Sequence, residues 1–354
     1  MKSKKRILVS PLNWGLGHAT RCVPIIKQLI LKDFDVIIAA EGRSKNILKN
    51  EFPELRFINI PGVNIKYYNN IPLIFSMLFQ IPKILYDINR EHKLLQKFIS
   101  EYKIHAIISD NRFGLWTNQI PCVFITHQLR IKSPLFERLI QKINYYFINK
   151  FTQCWIIDDE KSTLSGKLSC TKHMPKRFKY IGPQSRIRVT NRNIKYDLLC
   201  LISGPEPERS NFESLMINKL SKRKEKSLII LGKIEDNNDY KTNNCRIISS
   251  ANSEEISLYM SSSKTIISRS GYSTIMDLAK IGSKCIFIPT PGQTEQEYLA
   301  QYLKEEGVCF SMSQKSFNLE IALKENENYR GFIKFNTKTN WDKLFSLFQD
   351  KRKC

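Results

Sequence analysis

Residues 10–26 read SPLNWGLGHATRCVPII and place two glycines and a histidine between an apolar strand-like run and an apolar helix. Gly15 and Gly17 let the backbone approach a ligand closely, and the N–H groups of a helix start favour an anion. His18 follows directly, at a position where open α/β sheets bind ligands. The dinucleotide pattern G-x-G-x-x-G is incomplete because Thr20 replaces its third glycine. An ordinary turn with a solvent-facing histidine therefore remains an alternative.

A sharper pattern covers residues 266–303, IISRSGYSTIMDLAKIGSKCIFIPTPGQTEQEYLAQYL. A strand is predicted to end at residue 268, and Arg269, Ser270 and Gly271 form the turn into a helix. Backbone N–H groups, a hydroxyl and a guanidinium at one helix start suit a diphosphate. The alternative is a common strand-to-helix turn with a capping serine.

Polar side chains in the same stretch could bind a sugar nucleotide. Asp277 lies on the predicted helix, where a carboxylate can accept hydrogen bonds from a ribose diol. Gln296 and Glu297 open the next helix and are placed to meet sugar hydroxyls. Those two residues fit a solvated helix start equally well.

The elements that position these residues alternate between apolar strands and helices along almost the whole chain, which predicts parallel sheets covered on both faces. A polar, basic stretch separates two such series. We therefore expect an α/β protein with two Rossmann-like, doubly wound domains facing across a cleft. The domains span 1–183 and 195–354, with a linker at 184–194. The helical stretch 341–349 is expected to pack back on the first domain.

Composition limits the function classes. The 354-residue chain is 42% hydrophobic and carries a net charge of +23, so it is globular and basic rather than disordered. The charge suits an anionic ligand or membrane surface, or it reflects the Lys-, Ile- and Asn-rich usage of an AT-rich genome. Nucleic acid is a disfavoured partner because no binding motif is visible. Nine scattered cysteines and no signal peptide predict a cytoplasmic protein with reduced thiols and no metal site.

Two stretches depart from the strand–helix alternation. Residues 71–88 and 130–151 are amphipathic, with apolar faces Ile74, Leu78, Ile81, Leu85 and Leu135, Leu139, Ile143, Phe147 respectively. The first is too short and too interrupted to span a bilayer. Both suit a membrane interface with basic residues on the headgroups. The alternative is that both helices cover the first sheet.

The pattern S-R-S-G-x-x-T-x-x-D-L-A-x-x-G, followed by P-T-P and T-E-Q-E-Y, resembles the donor-binding half of glycosyltransferase family 28, the family of the bacterial UDP-N-acetylglucosamine transferases that make lipid II. The GLGHAT loop resembles the Gly-rich loop of that family, and it is closer to a branch of predicted transferases that begins GxGHxxR. The resemblance implies the GT-B fold, with the donor held mainly by the second domain. It also implies inverting transfer with no cofactor and no obligatory metal, the nucleotide sugar being a substrate.

The resemblance also implies roles for single residues of the second domain. Arg269 resembles the arginine before the donor helix, and Gly271 the glycine that opens it. Asp277 resembles the acidic residue that holds the ribose, usually a longer Glu. Gln296 resembles the first residue of a Gln pair that reads the donor sugar, and Glu297 replaces the second.

Further roles concern the Gly-rich loops. The stretch LISGPEPERSNFESL resembles the loop that opens the second domain and retains Ser203 and Gly204. Glu206 departs from that pattern and would repel a diphosphate unless Arg209 pairs with it. His18 matches the loop histidine of the family.

The transfer reaction needs a base to remove a proton from the acceptor hydroxyl, and an imidazole suits this at neutral pH. Asp110, at the end of the strand HAIISD, is the candidate that orients His18, and a helix cap is its alternative. His127 ends another strand and is more simply a hydrogen-bonded core histidine.

We therefore expect an inverting transferase that moves a sugar from a UDP-sugar, with UDP-N-acetylglucosamine a candidate, to a glycan or lipid-linked acceptor. A peripheral position on the inner face of the membrane would fit such an acceptor. The alternatives are a UDP-sugar epimerase of the same fold and a non-catalytic anion- or membrane-binding protein.

Overall fold

The computed structural model describes residues 4–63, 73–132, 136–161, 163–171, 174–189, 193–233, 236, 238–334 and 339–349, without the side chains of 73–78. The chain forms two compact units. The first comprises Met1–Gln184 with Thr337–Cys354, and the second comprises Ser185–Asn336. Residues from Thr337 onward thus belong to the first unit, although the sequence series placed 195–354 together.

A seven-stranded sheet forms the first unit, with strand order β3-β2-β1-β4-β5-β6-β7, and every pairing in it is parallel. Its strands are β1 (Arg6–Pro11), β2 (Asp35–Ala39), β3 (Arg56–Ile58), β4 (Ala106–Asp110), β5 (Cys122–Thr126), β6 (Gln153–Ile156) and β7 (Phe178–Tyr180). Its helices are α1 (Gly17–Leu31), α2 (Gly42–Glu51), α3 (Leu73–Glu101), α4 (Glu137–Ile148) and the last of the chain, α10 (Trp341–Gln349).

The central strands of this sheet are apolar along their length because helices cover both faces. All five residues of β4 and all five of β5 are buried. In the ladder between β1 and β4, Pro11 pairs with Asp110. The two strands therefore end at the same level, and the loops that follow them begin side by side.

Aromatic contacts fix α10 on the first unit. Phe345 and Phe348 are buried, and their rings lie 5.7 and 6.2 Å from the ring of Phe34. Both rings also contact Trp155 of β6, at 6.2 and 5.9 Å. Edge-to-face and tilted rings at these distances are favourable beyond the area that they bury.

The second unit is a second seven-stranded sheet, with order β10-β11-β9-β8-β12-β13-β14. Its strands are β8 (Tyr196–Leu201), β9 (Ser227–Ile230), β10 (Asp239–Thr242), β11 (Cys245–Ile248), β12 (Ser263–Ser268), β13 (Lys284–Phe287) and β14 (Phe310–Ser311). Its helices are α5 (Glu208–Leu220), α6 (Ser253–Ser261), α7 (Tyr272–Ile281), α8 (Thr294–Glu305) and α9 (Leu319–Asn326). Among the strands that the structure describes in this unit, the edge strand β10 alone runs antiparallel to its neighbour.

Strands β8, β12 and β13 are neighbours at the centre of the second sheet and are parallel. Their carboxyl ends therefore lie at one edge, and the loops that follow them are adjacent. We call residues 202–207, 269–271 and 288–293 the second-unit loops.

The helices α3 and α4 contribute Leu95, Ile99 and Ile148 to the core of the first unit, but their predicted apolar faces are only partly turned inward. Phe147 of the predicted α4 face packs on Phe113 at 5.1 Å. Ile81 and Leu85 of α3 are 41% and 48% exposed, whereas the polar Asp87 on the other face is buried. Leu139 and Ile143 of α4 are 56% and 42% exposed. Ile74, Leu78 and Leu135 of the same predicted faces lie outside the described side chains. In the part of the chain that the structure describes, no helix is both long and apolar enough to cross a membrane.

Candidate functional site

Four polar residues meet at the carboxyl edge of the first sheet. His18 is the second residue of α1, which begins after the loop that follows β1, and Asp110 ends the neighbouring strand β4. His127 directly follows β5, the next strand of the sheet, and Arg21 lies one helical turn beyond His18. We call these four residues the His18 cluster.

Asp110 is the centre of the His18 cluster. Its side chain is fully buried, and its Oδ1 lies 3.1 Å from Nδ1 of His18. Arg21 binds both of its oxygens, with Nε 2.6 Å from Oδ2 and Nη2 hydrogen-bonded to Oδ1. The Cys22 thiol approaches Oδ2 at 3.7 Å. Although burial opposes ionisation, the positive charge of Arg21 and the hydrogen bonds with Arg21 and His18 hold the pKa of Asp110 well below its usual range.

His18 is set up as a neutral imidazole. Burial lowers its pKa, the charge of Arg21 lowers it further, and Asp110 opposes both effects without reversing them. The side chain keeps 11% exposure, so an edge of the ring can meet a ligand. Within the described residues, the hydrogen bonds of the ring are all at Nδ1.

Two proton positions on His18 compete. Nδ1 lies 3.1 Å from Oδ1 of Asp110, which accepts, and 2.8 Å from Nη2 of Arg21, which only donates. A proton on Nδ1 that is donated to Asp110 leaves Nε2 as a free base. A lone pair on Nδ1 that accepts from Arg21 places the proton on Nε2 instead.

Arg21 is the residue that the sequence analysis missed. Its spacing from His18 was the available signal, because residues i and i+3 share a helix face, and it is the arginine of the GxGHxxR start. His127 is a buried histidine whose Nδ1 lies 3.1 Å from Nη1 of Arg21. No helix begins after Asp110, since residues 111–121 are loop, so the helix-cap alternative for Asp110 is wrong.

The loop before His18 is open. Gly15 has φ +78°, which favours glycine, and a Cβ at this position would meet no atom within 4 Å. Gly17 begins α1, and the preceding Leu16 has no polar side chain to cap the helix. The backbone at this helix start is therefore a suitable surface for an anion.

In the second unit, the loop after β8 is arranged by charge pairing. Ser203 and Gly204 follow the strand, and Gly204 adopts φ +119°. Glu206 accepts from Arg209 at 2.5 Å, and Arg209 also binds Glu213 at 2.6 Å. The arginine thus neutralises the carboxylate that would otherwise repel a diphosphate.

Arg269 does not place its guanidinium at the helix start as the sequence predicted. Its side chain is 1% exposed, and Nη1 donates to the carbonyls of Ile288 and Pro289, both at 3.0 Å. Nη2 donates to the carbonyl of Glu208 and to Gln314. Burial lowers the pKa of the guanidinium to about 10. Arg269 therefore binds second-unit loops together from inside the unit and does not present its charge at the start of α7.

Gln296 and Glu297 also shape the second-unit loops. Oε1 of Gln296 accepts the backbone N–H of Thr290 at 2.9 Å, and its amide nitrogen donates to Gln293. Oε1 of Glu297 accepts the N–H of Gly292 at 2.9 Å. Both ends of the Gln296 amide thus make hydrogen bonds within the protein, in addition to any contact with a sugar that the sequence predicted.

Ser270, Gly271 and Asp277 complete the second-unit site. The Ser270 hydroxyl donates to the carbonyl of Gln296 at 2.7 Å. Gly271 is the N-cap of α7, and a Cβ there would meet no atom within 4 Å. Asp277 accepts from the Ser185 hydroxyl, and burial raises its pKa to about 6. The unobstructed N-terminus of α7 and the carboxylate of Asp277 thus belong to the same helix.

Comparison with known proteins relates both halves of the chain to glycosyltransferases. Residues 212–339 match the model of the glycosyltransferase family 28 C-terminal domain, and residues 5–164 match that of glycosyl transferase family 1. A Borrelia turicatae protein named UDP-N-acetylglucosamine--N-acetylmuramyl-(pentapeptide) pyrophosphoryl-undecaprenol N-acetylglucosamine transferase is 24% identical, over 96% of this chain and 93% of its own. The chain is a glycosyltransferase, and its residues 212–339 are similar to the family 28 C-terminal domain.

Solved structures agree with this assignment at the level of the fold. The crystal structure of Acinetobacter baumannii MurG matches with a TM-score of 0.57 and 12% identity, over 98% of this chain and 99% of that one. The calicheamicin glycosyltransferase CalG4 matches with a TM-score of 0.62 and 10% identity, over 92% of each chain. The predicted GT-B fold class, with two mainly parallel α/β sheets, is confirmed.

Proposed function

We propose that this glycosyltransferase transfers a sugar from a UDP-sugar, with UDP-N-acetylglucosamine the first candidate, to a lipid-linked or other glycan acceptor, with inversion and with His18 as general base. The observation that carries the proposal is the contact of His18 Nδ1 with the buried Asp110 at 3.1 Å. A neutral, partly exposed imidazole that is oriented by a buried carboxylate is the arrangement that base catalysis requires. The nucleotide and sugar follow the name of the Borrelia relative.

The proposed reaction is a single displacement. Nε2 of His18 takes the proton of the acceptor hydroxyl while its oxygen attacks the anomeric carbon. The bond from that carbon to the phosphate oxygen breaks, and the nucleoside diphosphate leaves with the bonding electrons. Attack on the face opposite to the leaving group inverts the configuration.

The donor would lie on the second-unit loops. Gly271 at the start of α7 and the glycine loop with Ser203 and Gly204 present backbone N–H groups to a diphosphate. Asp277 is our candidate for the ribose hydroxyls. We propose no resident cofactor or metal, because helix-start amides can stabilise the leaving diphosphate.

The acceptor side suits an anionic lipid surface. Leu139 and Ile143 are exposed on α4, and Arg138 and Lys142 flank them. Exposed apolar side chains beside cations are the pattern of helices that lie in a membrane interface. We therefore propose a peripheral position on the cytoplasmic face of a membrane, where a lipid-linked acceptor would be found.

The experiment that tests the donor assignment is thermal unfolding with UDP, GDP, CMP, TDP and ADP. A nucleotide at about 100 times its Kd stabilises the folded state by about 2.7 kcal/mol. We expect a selective rise of Tm with UDP that Asp277→Ala reduces. A selective shift with TDP or GDP would keep the transferase and replace the donor. A chain that responds to no nucleotide would contradict the proposal and favour a non-catalytic scaffold.

Product analysis separates the two enzymatic alternatives. A transferase consumes a UDP-sugar only when an acceptor is present and releases UDP. An epimerase would convert the UDP-sugar without an acceptor. Incubation with UDP-N-acetylglucosamine, with and without a lipid-linked glycan, therefore distinguishes them by the nucleotide products.

A further inference from the structure

We propose that Arg21 is a positioning residue that holds both oxygens of Asp110 and faces Nδ1 of His18, so that the imidazole is fixed in place and stays neutral. The inference rests on the proposed role of His18 as a base. Arg21 itself is 2% exposed, so it reaches the reaction only through its neighbours.

The hydrogen bonds around Asp110 form a complete set. An ionised carboxylate offers about four lone pairs, two on each oxygen. Oδ1 faces Nη2 of Arg21 and Nδ1 of His18, and Oδ2 faces Nε of Arg21 and the thiol of Cys22. Four donors thus meet four acceptor positions. The set is complete when His18 carries its proton on Nδ1, which leaves Nε2 free to accept a proton. The competing tautomer, with a lone pair on Nδ1 that accepts from Nη2 of Arg21, leaves one acceptor position of Oδ1 unfilled.

The charges around His18 favour the neutral imidazole, which a carboxylate as its single charged partner would not do. A buried aspartate beside a histidine, with no other charge nearby, attracts the imidazolium and favours protonation. Arg21 cancels that attraction because its guanidinium remains positive and lies as close to Nδ1 as the carboxylate does. Among the described residues, Arg21 and His127 lower the pKa of His18, and Asp110 raises it.

His127 lies on the opposite side of the guanidinium. Nη1 of Arg21 faces Nδ1 of His127 at 3.1 Å, while Nη2 faces the Asp110–His18 pair. A guanidinium only donates, so this contact is a hydrogen bond when Nδ1 of His127 presents a lone pair. The guanidinium of Arg21 therefore contacts both histidines of the His18 cluster, and these contacts fix the orientation of its plane.

The first test follows the imidazole directly and needs no substrate. The chain has five histidines, so selective isotope labelling gives five imidazole signals, and His18→Gln identifies the one that belongs to His18. We compare the pH titration of that signal in the unchanged protein and in Arg21→Gln. We expect the pKa of His18 to be higher in Arg21→Gln, because Asp110 then has no other cation beside it. Titration at the same pH in both proteins would overturn the proposal.

Two further variants separate the proposed role from a loss of folding. Arg112→Gln is the matched control, because Arg112 is an equally buried arginine of the same unit that pairs with the buried Glu91 at 2.9 Å. It should destabilise the fold as Arg21→Gln does and leave the His18 titration unchanged. If Arg21→Gln does not fold, the double variant Arg21→Gln/Asp110→Asn removes both buried charges. Its His18 should then titrate at or below the pH seen in the unchanged protein, and a rise would contradict the charge argument.

Activity supplies the second readout. Once a donor and acceptor are found, Arg21→Gln should lower kcat by about 10²-fold with little change in donor KM, since a misplaced base costs about that much. As the pH is lowered along the acid limb of the pH–rate profile, the variant should lose activity at a higher pH than the unchanged protein does. Arg21→Lys keeps the charge without the fork and should recover the position of this acid limb but not the full kcat. Absence of transfer with every donor would contradict the proposed function, and the imidazole titration would still decide the role of Arg21.

Discussion

The Ser185 hydroxyl donates a hydrogen bond of 2.5 Å to Oδ1 of Asp277, so the first residue of the second unit is tied to the middle of α7. The carboxylate that was predicted from the sequence to hold a ribose thus already has one hydroxyl partner. A ribose diol would approach a group whose geometry is fixed beforehand. The burial that creates this order also makes the ionised form of Asp277 costly.

The stability of the protein should depend on pH through Asp277. Burial raises its pKa to about 6, so the folded chain holds this proton more tightly than the unfolded chain does. The contribution of Asp277 to the free energy of unfolding therefore falls as the pH rises from about 4 to about 6. In urea unfolding, Asp277→Asn should remove this fall and be more stable than the unchanged protein at pH 7.5 by up to about 3 kcal/mol. Equal stability differences at pH 4 and pH 7.5 would contradict the assignment.

Loss of the base should separate catalysis from donor binding. His18→Gln removes the group that accepts the proton, so kcat should fall by about 10²–10⁴-fold. The rise of Tm with the nucleotide should persist, because the donor binds on the second unit in our proposal. His92→Gln is the control, since His92 stacks on Trp116 at 4.5 Å and lies outside the His18 cluster. A His18→Gln enzyme with unchanged kcat would exclude His18 as the base.

Two glycines of the second-unit loops should respond differently to alanine. Gly271 has φ −70° and open space around its missing Cβ, so Gly271→Ala should leave Tm nearly unchanged. The added methyl group would stand where we place the diphosphate, and nucleotide affinity should fall. Gly204 has φ +119°, which alanine rarely adopts, so Gly204→Ala should lower stability. Isothermal titration with UDP measures the first effect and thermal unfolding the second. Full UDP affinity in Gly271→Ala would move the diphosphate away from α7.

Substitution of Arg269 should reduce the stability of the fold more than it reduces nucleotide binding. Its guanidinium donates to three backbone carbonyls and to Gln314, and Arg269→Met would leave those buried acceptors without a donor. A charged hydrogen bond contributes about 1.5–3 kcal/mol, so we expect a loss of at least about 3 kcal/mol in urea unfolding. Arg209→Met serves for comparison, since Arg209 binds the carboxylates of Glu206 and Glu213 and not the backbone carbonyls that follow a strand. Unchanged stability with weakened UDP binding would instead favour the direct diphosphate contact that the sequence suggested.

The sequence predicted those features that depend on chain periodicity and strand order. Buried apolar runs such as β4 and β5 are recognisable because both faces of a parallel sheet are covered. The meeting of His18 and Asp110 follows from two adjacent strands that end at the same level. Neither required knowledge of a side-chain conformation.

What the sequence did not predict depends on the direction of side chains. Arg269 lies in the expected loop and Gln296 at the expected helix start, but their polar atoms make hydrogen bonds within the protein, for example to the carbonyl of Ile288 and from the N–H of Thr290. The edge strand β10 is fully exposed, so it lacks the apolar signal of the other strands. Amphipathic spacing in α3 and α4 shows that a helix has two faces and cannot tell which one is turned inward.

Membrane binding should depend on the exposed apolar residues of α4. Leu139→Glu/Ile143→Glu removes two apolar side chains from the proposed interface, each of which contributes about 1.5–3 kcal/mol when fully buried. In sedimentation with vesicles that contain an anionic lipid, we expect binding to weaken by at least about tenfold and to decrease with salt for the unchanged protein. Leu31→Glu is the matched control, because Leu31 is 73% exposed on α1 of the same unit and lies outside α3 and α4. Equal loss in both variants would assign the effect to general charge, and unchanged binding in the α4 variant would place the lipid surface elsewhere.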